Sequence, residues 1–174
     1  INNISSKLTG INTQDIALRF TIGVAYGGNR TIGDDGFDYL INSDYIDAID
    51  SFNRFKIKYP KHPKVRLANR MIEFSRDEIA YDMFYNGVDS YMSNDINSAI
   101  DWYRQALAEA VDLDLIYEIE SRQYIIANEL YANIDTKLKG LSIEESLEYI
   151  QYIESISPKI IKTLKSKKLN FLYK

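Results

Sequence analysis

The chain has 174 residues, with 45% apolar and 26% charged side chains, a balance typical of one folded globular domain rather than a disordered or membrane-embedded chain. Its formal net charge of −4 gives no overall positive field to hold the polyanionic backbone of a nucleic acid, so nucleic acid is not an expected partner. The chain contains no cysteine, which excludes disulfides and thiolate catalytic or metal sites.

Residues 1–28 are predicted to form an N-terminal segment with one short helix near 13–26. Thr13 can cap the start of this helix, and the pair Gly27 and Gly28 predicts a flexible joint after it. The segment is expected to pack against the helices that follow rather than to form a domain of its own.

The rest of the chain consists of long stretches with helical periodicity and few prolines. Proline occurs only at Pro60, Pro63 and Pro158, and a proline interrupts a helix. Helices are predicted near 44–58, 63–92, 95–109, 114–139 and 143–155, with a last one after Pro158. The run 75–78 could instead cap a new helix, but the apolar stripe keeps its phase there and favours one long helix. No segment alternates with the two-residue period of a strand, so an all-α protein is expected.

One segment carries a spaced pattern of small, aromatic and proline residues. Gly36 and Tyr39 stand at the spacing G-x₂-Y, Ala48 and Phe52 at A-x₃-F, and Pro60 closes the pattern. The small residues let two helices approach, the aromatic residues fill the space between them, and the proline ends the second helix. This pattern resembles the tetratricopeptide repeat, a helix-turn-helix hairpin that stacks on its neighbours.

Two further copies depart more from the pattern. The structural positions of the second copy are Gly87, Ala99, Tyr103 and Ala106, and those of the third are Ser146, Ile150 and Pro158. The third copy has Ile134 where glycine is usual, which predicts a splayed hairpin. The copies start near residues 29, 80 and 127, farther apart than the usual repeat of about 34 residues.

The resemblance therefore implies an all-α fold, an irregular tetratricopeptide-like solenoid of helical repeats with elongated helices. Three degenerate hairpins would occupy 29–158. The basic segment 159–174 is predicted to form a capping helix that covers the last hairpin, because solenoids need such caps. Contact of this segment with an anionic membrane surface is the less favoured alternative.

The junction from Lys58 to Pro63, with the sequence KYPKHP, is similar to a junction found in bacterial periplasmic tetratricopeptide proteins. Those proteins serve outer-membrane assembly and the Tol-Pal system. The similarity implies the periplasm or cell envelope of a bacterium as the location, with the cytoplasm as the alternative. No apolar stretch of the chain approaches the roughly 20 residues that span a bilayer.

The resemblance also implies a binding surface on the first helices of the hairpins, where members of the family bind peptides. The corresponding residues are Phe37, Leu40, Ile41, Tyr81, Phe84, Val88, Tyr91, Tyr131, Asp135 and Leu138. The basic and asparagine side chains that bind C-terminal carboxylates in chaperone-binding members are missing there. The expected partner is therefore another protein, through an apolar or aromatic peptide or helix.

Nothing in the sequence assembles a catalytic or metal site. His62, the single histidine, stands between prolines in a predicted exposed loop, and the acidic residues fall mainly on polar helix faces. A non-enzymatic scaffold or adaptor in an envelope complex, supporting envelope integrity or assembly without a cofactor, is the predicted function. The alternatives are a carboxylate-dependent hydrolase acting on an envelope polymer and a self-assembling structural subunit.

Overall fold

The computed structural model describes residues 32–161 and Leu164. This part of the chain contains seven α-helices and no strand, which confirms the predicted all-α fold of helical repeats. The helices are α1 (Ile32–Ile41), α2 (Tyr45–Lys58), α3 (Val65–Met92), α4 (Ile96–Glu109), α5 (Leu113–Ala132), α6 (Ile134–Lys137) and α7 (Ile143–Ile156), followed by a 3₁₀ turn at Pro158–Ile160. The helix predicted near 13–26 lies outside the described residues, as does most of the basic segment 159–174.

The long helix predicted near 63–92 is confirmed as the continuous helix α3. Ser75, the residue that could have started a new helix, is buried. Its hydroxyl donates a hydrogen bond to the Met71 carbonyl oxygen, with 2.8 Å between the two oxygens. A hydroxyl bonded to the preceding helical turn cannot act as an N-cap, because the cap must accept from the N–H groups that follow it.

The helix predicted for 114–139 is wrong beyond Ala132, because α5 ends at that residue and the short α6 begins at Ile134. Asn133 lies at the break, and its Nδ2 donates 3.1 Å to the Glu129 carbonyl. Asparagine side chains compete in this way with the backbone bonds of a helix. Gly140 has a φ of 90° and follows α6, as its predicted role at a left-handed helix end requires.

The described helices belong to two compact units, and the boundary between them lies at Ser75 and Arg76, within α3. The first unit has a core of small and large apolar residues: Ala48, Phe52, Phe55, Ala68 and Met71. The second unit has a larger core that includes Phe84, Tyr103, Ile119 and Ile150. Ile160 and Leu164 are fully buried in this second core, so the described part of the basic segment packs onto it.

Each of the first two hairpins has the same kind of close contact between its two helices, a glycine against an aromatic ring. A Cβ built on Gly36 would lie 2.8 Å from Cε1 of Phe52, and one on Gly87 would lie 2.6 Å from Cε1 of Tyr103. Real side chains do not approach so closely, so each glycine allows an aromatic ring to lie against the helix backbone. This is the role that the sequence pattern assigned to these positions.

The turns of these two hairpins also have the same geometry. Ser43 and Asn94 both have a φ of 62°, a conformation that few residues other than glycine adopt. The residue after each of them is Asp44 or Asp95. Its backbone N–H donates a hydrogen bond to a carbonyl oxygen in the last turn of the preceding helix, with an N to O distance of 2.9 Å in both hairpins. The second helices α2, α4 and α7 are each 14 residues long. The hairpin is therefore a true structural repeat within this chain.

The third hairpin has different residues at the contact between its two helices. Ile134 and Ile150 replace the glycine and the aromatic ring, and both are fully buried in the second core. An isoleucine side chain fills the space into which an aromatic ring enters in the other hairpins. The helix break at Asn133 directly precedes Ile134.

Ser146 offers a test of the repeat, because it stands where the other hairpins have Ala48 and Ala99. It is fully buried, and its Oγ has no hydrogen-bond partner among the described residues. We expect Ser146→Ala to raise the free energy of unfolding by about 1 kcal/mol, since an unsatisfied buried hydroxyl is removed. Urea denaturation measures the change. Ser75→Ala is the control and should lower stability, because the Ser75 hydroxyl is bonded; a loss in both variants would contradict the assignment.

Candidate functional site

Two residues of the predicted inner surface lie inside the protein. Phe84 is only 7% exposed, and Leu138 is similarly buried; both belong to the core of the second unit. The Phe84 ring centroid is 5.8 Å from that of Tyr103. Neither side chain offers a surface to a ligand, because both are enclosed in this core.

The other predicted surface residues vary in exposure. Ile41 and Asp135 are exposed. The remaining six are half-buried and pack against one of the two cores: Phe37, Leu40, Tyr81, Val88, Tyr91 and Tyr131. Phe37, Leu40 and Ile41 belong to the first unit and the other seven to the second. Of these seven, Tyr91 lies at the contact of α3 with α5.

Helix α5 exposes a run of large side chains that the sequence pattern did not single out. Tyr117 is 67% exposed, Ile125 is 44% exposed and Tyr124 is 38% exposed. We call these three residues the α5 stripe. The core-facing side of the same helix carries Leu115, Ile119 and Ile126, so α5 is apolar on two sides. A helix of an ordinary globular protein has only one such side.

The loop before α5 is held in place from α3. Asp77 Oδ1 accepts from the backbone N–H groups of Val111 and Asp112, at 2.7 and 2.9 Å. Arg76, which is also on α3, forms a salt bridge with Glu109, with Nε and Oε2 3.1 Å apart. The Asp112 side chain in turn caps α5 by accepting from two N–H groups of its first turn. These bonds fix the start of α5 and therefore the direction in which the stripe faces.

A small pocket opens between α3, α4 and α5, with a cavity volume of about 10 Å³. We call it the Tyr103 pocket, and its lining consists of Tyr91, Tyr103, Arg122, Ile125 and Ile126. Ile125 belongs both to the pocket and to the α5 stripe, so the two features are continuous. A cavity of this size holds about one water molecule, far less than the several hundred Å³ of sites that enclose a small molecule.

The polar groups at the pocket are paired in two sets. Tyr91 Oη donates to Glu129 Oε1 at 2.5 Å, and this hydrogen bond raises the pKa of the Tyr91 hydroxyl. Arg122 Nε lies 3.1 Å from Glu118 Oε1. The remaining N–H groups of a guanidinium are still available for an acceptor, because one carboxylate oxygen occupies only one of its five donors.

Tyr103 differs from these groups. Its side chain is buried, and burial raises the pKa of its hydroxyl, so the group is a neutral donor. Within residues 32–161 no hydrogen-bond partner meets its Oη. A buried hydroxyl without a partner costs roughly 1–3 kcal/mol. Sequence reasoning assigned Tyr103 only to packing, since tyrosine and phenylalanine fill that position equally well.

Comparisons of the chain with protein-family models, with curated proteins and with solved structures found no match. Among the described residues, no group of three or more histidine, cysteine or acidic side chains is arranged to hold a metal ion. No helix in residues 32–161 has the length and apolar content needed to cross a bilayer.

Proposed function

We propose that this chain is a non-enzymatic scaffold that binds another protein through the α5 stripe. The observation that carries the proposal is the exposure of Tyr117, Tyr124 and Ile125 on a helix whose opposite side already supplies the core. Aromatic side chains are enriched at protein interfaces and supply much of the binding free energy there.

The partner proposed is an apolar or aromatic peptide or helix. The stripe has few charges that a partner would have to match: Lys159 lies 2.9 Å from Glu120 and 5.4 Å from the Tyr117 ring centroid, so this cation is already paired. Exposed ion pairs contribute about 0–1 kcal/mol and are screened by salt. Binding is therefore expected to depend on apolar contact more than on ionic strength.

We further propose kinship with tetratricopeptide proteins and a place in a bacterial cell-envelope complex. The kinship is supported by the two glycine-aromatic contacts, at Gly36 and Gly87, and by the matching turns of the first two hairpins. The location rests on the similarity of the junction from Lys58 to Pro63 to periplasmic members of that family. Repeat proteins of this kind act through extended surfaces rather than through enclosed catalytic clefts.

The test begins with capture of partners from an extract of the source cell, followed by affinity measurement with the purified partner. Replacing the α5 stripe by Tyr117→Ser, Tyr124→Ser and Ile125→Ser should weaken binding more than about 30-fold, as expected when interface anchors are lost. The matched control is Met92→Ser with Ile143→Ser, two exposed apolar residues in the same unit but outside the stripe. This control should bind like the unmodified chain.

Three outcomes would contradict the proposal: no stoichiometric partner, equal binding by the stripe and control variants, or turnover of an envelope polymer by the purified chain. Capture of a second copy of this chain, instead of another protein, is a different result. If light scattering then shows an oligomer that the stripe variant loses, the self-assembling structural subunit is the better description.

A further inference from the structure

The connection between α4 and α5, residues 110–112, is bound to α3 by one carboxylate. Asp77 Oδ1 accepts from the N–H groups of Val111 and Asp112, with N to O distances of 2.7 and 2.9 Å. Both bonds are charge-assisted, and such bonds are roughly twice as strong as those between neutral groups. The Asp112 side chain accepts in turn from two N–H groups in the first turn of α5. The start of α5 therefore depends on a carboxylate of another helix as well as on its own cap.

The residue before Asp77 acts on the other end of the same connection. Arg76 Nη2 donates to the Ala108 carbonyl oxygen at 2.9 Å, and its Nε lies 3.1 Å from Glu109 Oε2. Ala108 belongs to the last turn of α4, whose carbonyl groups have no partner within the helix. A helix carries partial negative charge at its end and partial positive charge at its start. The cation at the end of α4 and the anion at the start of α5 match both charges. We call Arg76 and Asp77 the α3 clasp.

The clasp binds a position at which the first hairpin has a proline. Val111 stands where the first hairpin has Pro60, at equal spacing from the glycine of each hairpin. Ala110 has a φ of −58° and a ψ of 132°, an extended conformation of the kind that precedes a proline. A proline at position 111 would have no N–H to donate to Asp77. The second hairpin therefore ends in hydrogen bonds that can open, where the first ends in a fixed ring.

The nearest member of the α5 stripe is Tyr117, in the second turn of the helix. Its ring centroid lies 5.4 Å from Lys159 Nζ, and this ammonium also lies 2.9 Å from Glu120 Oε2. Both contacts are exposed, and exposed charged contacts contribute little to stability. Tyr124 lies about two turns farther along α5, beside the buried Ile126. The clasp is thus close to one end of the stripe, and the core supports the other end.

We propose that Asp77 is a positioning residue of the α5 stripe. Its carboxylate keeps the first turn of α5 helical, and opening of the clasp frays this turn and moves Tyr117 away from Lys159. Tyr124 depends more on the core and moves less. The inference rests on the proposed function for its effect on binding, but not for its effect on the structure of α5.

The test is Asp77→Ala in the full chain, studied by amide hydrogen exchange and by NMR of the side chains. The two amides that the carboxylate binds should exchange roughly tenfold faster, as expected when each loses a hydrogen bond, while the amides of α4 keep their rates. The Lys159 methylene signals, shifted by the Tyr117 ring, should move towards those of an exposed lysine. The ring signals of Tyr124 should change less than those of Tyr117.

Two control variants isolate the hydrogen bonds of the clasp. Asp82→Ala removes an exposed carboxylate from the same helix, outside the clasp, and should leave these signals unchanged. Asp77→Asn keeps an oxygen acceptor without the charge and should restore part of the amide protection. With a captured partner, Asp77→Ala should bind about threefold to tenfold more weakly while it stays folded, a smaller loss than for the stripe variant.

The proposal is overturned if the two amides keep their exchange rates in Asp77→Ala, or if the Lys159 signals do not move. It is also overturned if exchange rises throughout the second unit, because Asp77 would then support the whole fold rather than the start of α5. Equal effects of Asp82→Ala, or no protection in Asp77→Asn, would count against it in the same way. These measurements need no partner, so the absence of a partner contradicts the proposed function alone. A partner that binds Asp77→Ala normally, although the amides are released, contradicts the positioning role alone.

Discussion

Replacing Phe84 by alanine is expected to lower the free energy of unfolding by about 3–5 kcal/mol, the usual cost of deleting a buried aromatic ring. The ring is almost wholly buried in the second core and lies 5.8 Å from the Tyr103 ring, centroid to centroid. Its removal takes apolar surface out of the core and leaves a cavity that the helices α3 and α4 can close only in part. Urea denaturation followed by circular dichroism measures the loss.

The control is Tyr124→Ala on α5, an aromatic residue of the stripe that is 38% exposed. Its effect on stability should stay near 0.5 kcal/mol, as for most surface positions. The pair separates core packing from partner binding: Phe84→Ala should weaken partner binding only through unfolding, whereas Tyr124→Ala should weaken it in a folded protein. If Phe84→Ala is as stable as the unmodified chain but no longer binds the partner, Phe84 belongs to the binding surface.

The helices were predictable because their signals are local. Prolines 60, 63 and 158 mark where helices end or begin, and the period of the apolar residues indicates which side of each helix is buried. Asp95 and Ser142 are the N-cap residues of α4 and α7. The break at Asn133 was not predictable from the period, since the apolar stripe continues through it. It depends on one side-chain hydrogen bond, to the Glu129 carbonyl, and on the entry of Ile134 into the core.

The candidate site was less accessible to sequence reasoning. The repeat pattern predicts where a residue lies along a helix, but burial also depends on what the neighbouring helices cover. Residues 113–126 precede the third copy and have no counterpart in the pattern, yet they carry the whole α5 stripe. The spacing of Tyr117, Tyr124 and Ile125 marks a second apolar side of the helix and is the signal that could have found it. The Tyr103 hydroxyl, which has no hydrogen-bond partner among the described residues, has no sequence signal at all.

Gly87 is the position at which a single added side chain should do most damage to the repeat. A Cβ there would lie 2.6 Å from Cε1 and 2.7 Å from Cδ1 of Tyr103, far inside the contact distance of about 3.5–4.0 Å between carbon atoms. The Tyr103 ring is buried in the core and cannot swing into solvent. We expect Gly87→Val to lower the free energy of unfolding by about 3 kcal/mol, because overpacking strains both helices and valine gains little helix propensity over glycine.

Asn86→Val provides the matched control, since Asn86 is the preceding residue of α3 and is exposed. It introduces the same side chain into the same helical turn and should change stability by less than about 0.5 kcal/mol. The double variant Gly87→Val with Tyr103→Ala tests the contact itself. Removing the ring makes room for the valine, so the two losses should be less than additive, by an amount within the range of about 0.5–3 kcal/mol seen for residues in contact. Strictly additive losses, or equal stability of Gly87→Val and Asn86→Val, would show that the ring does not lie against the helix backbone at this glycine.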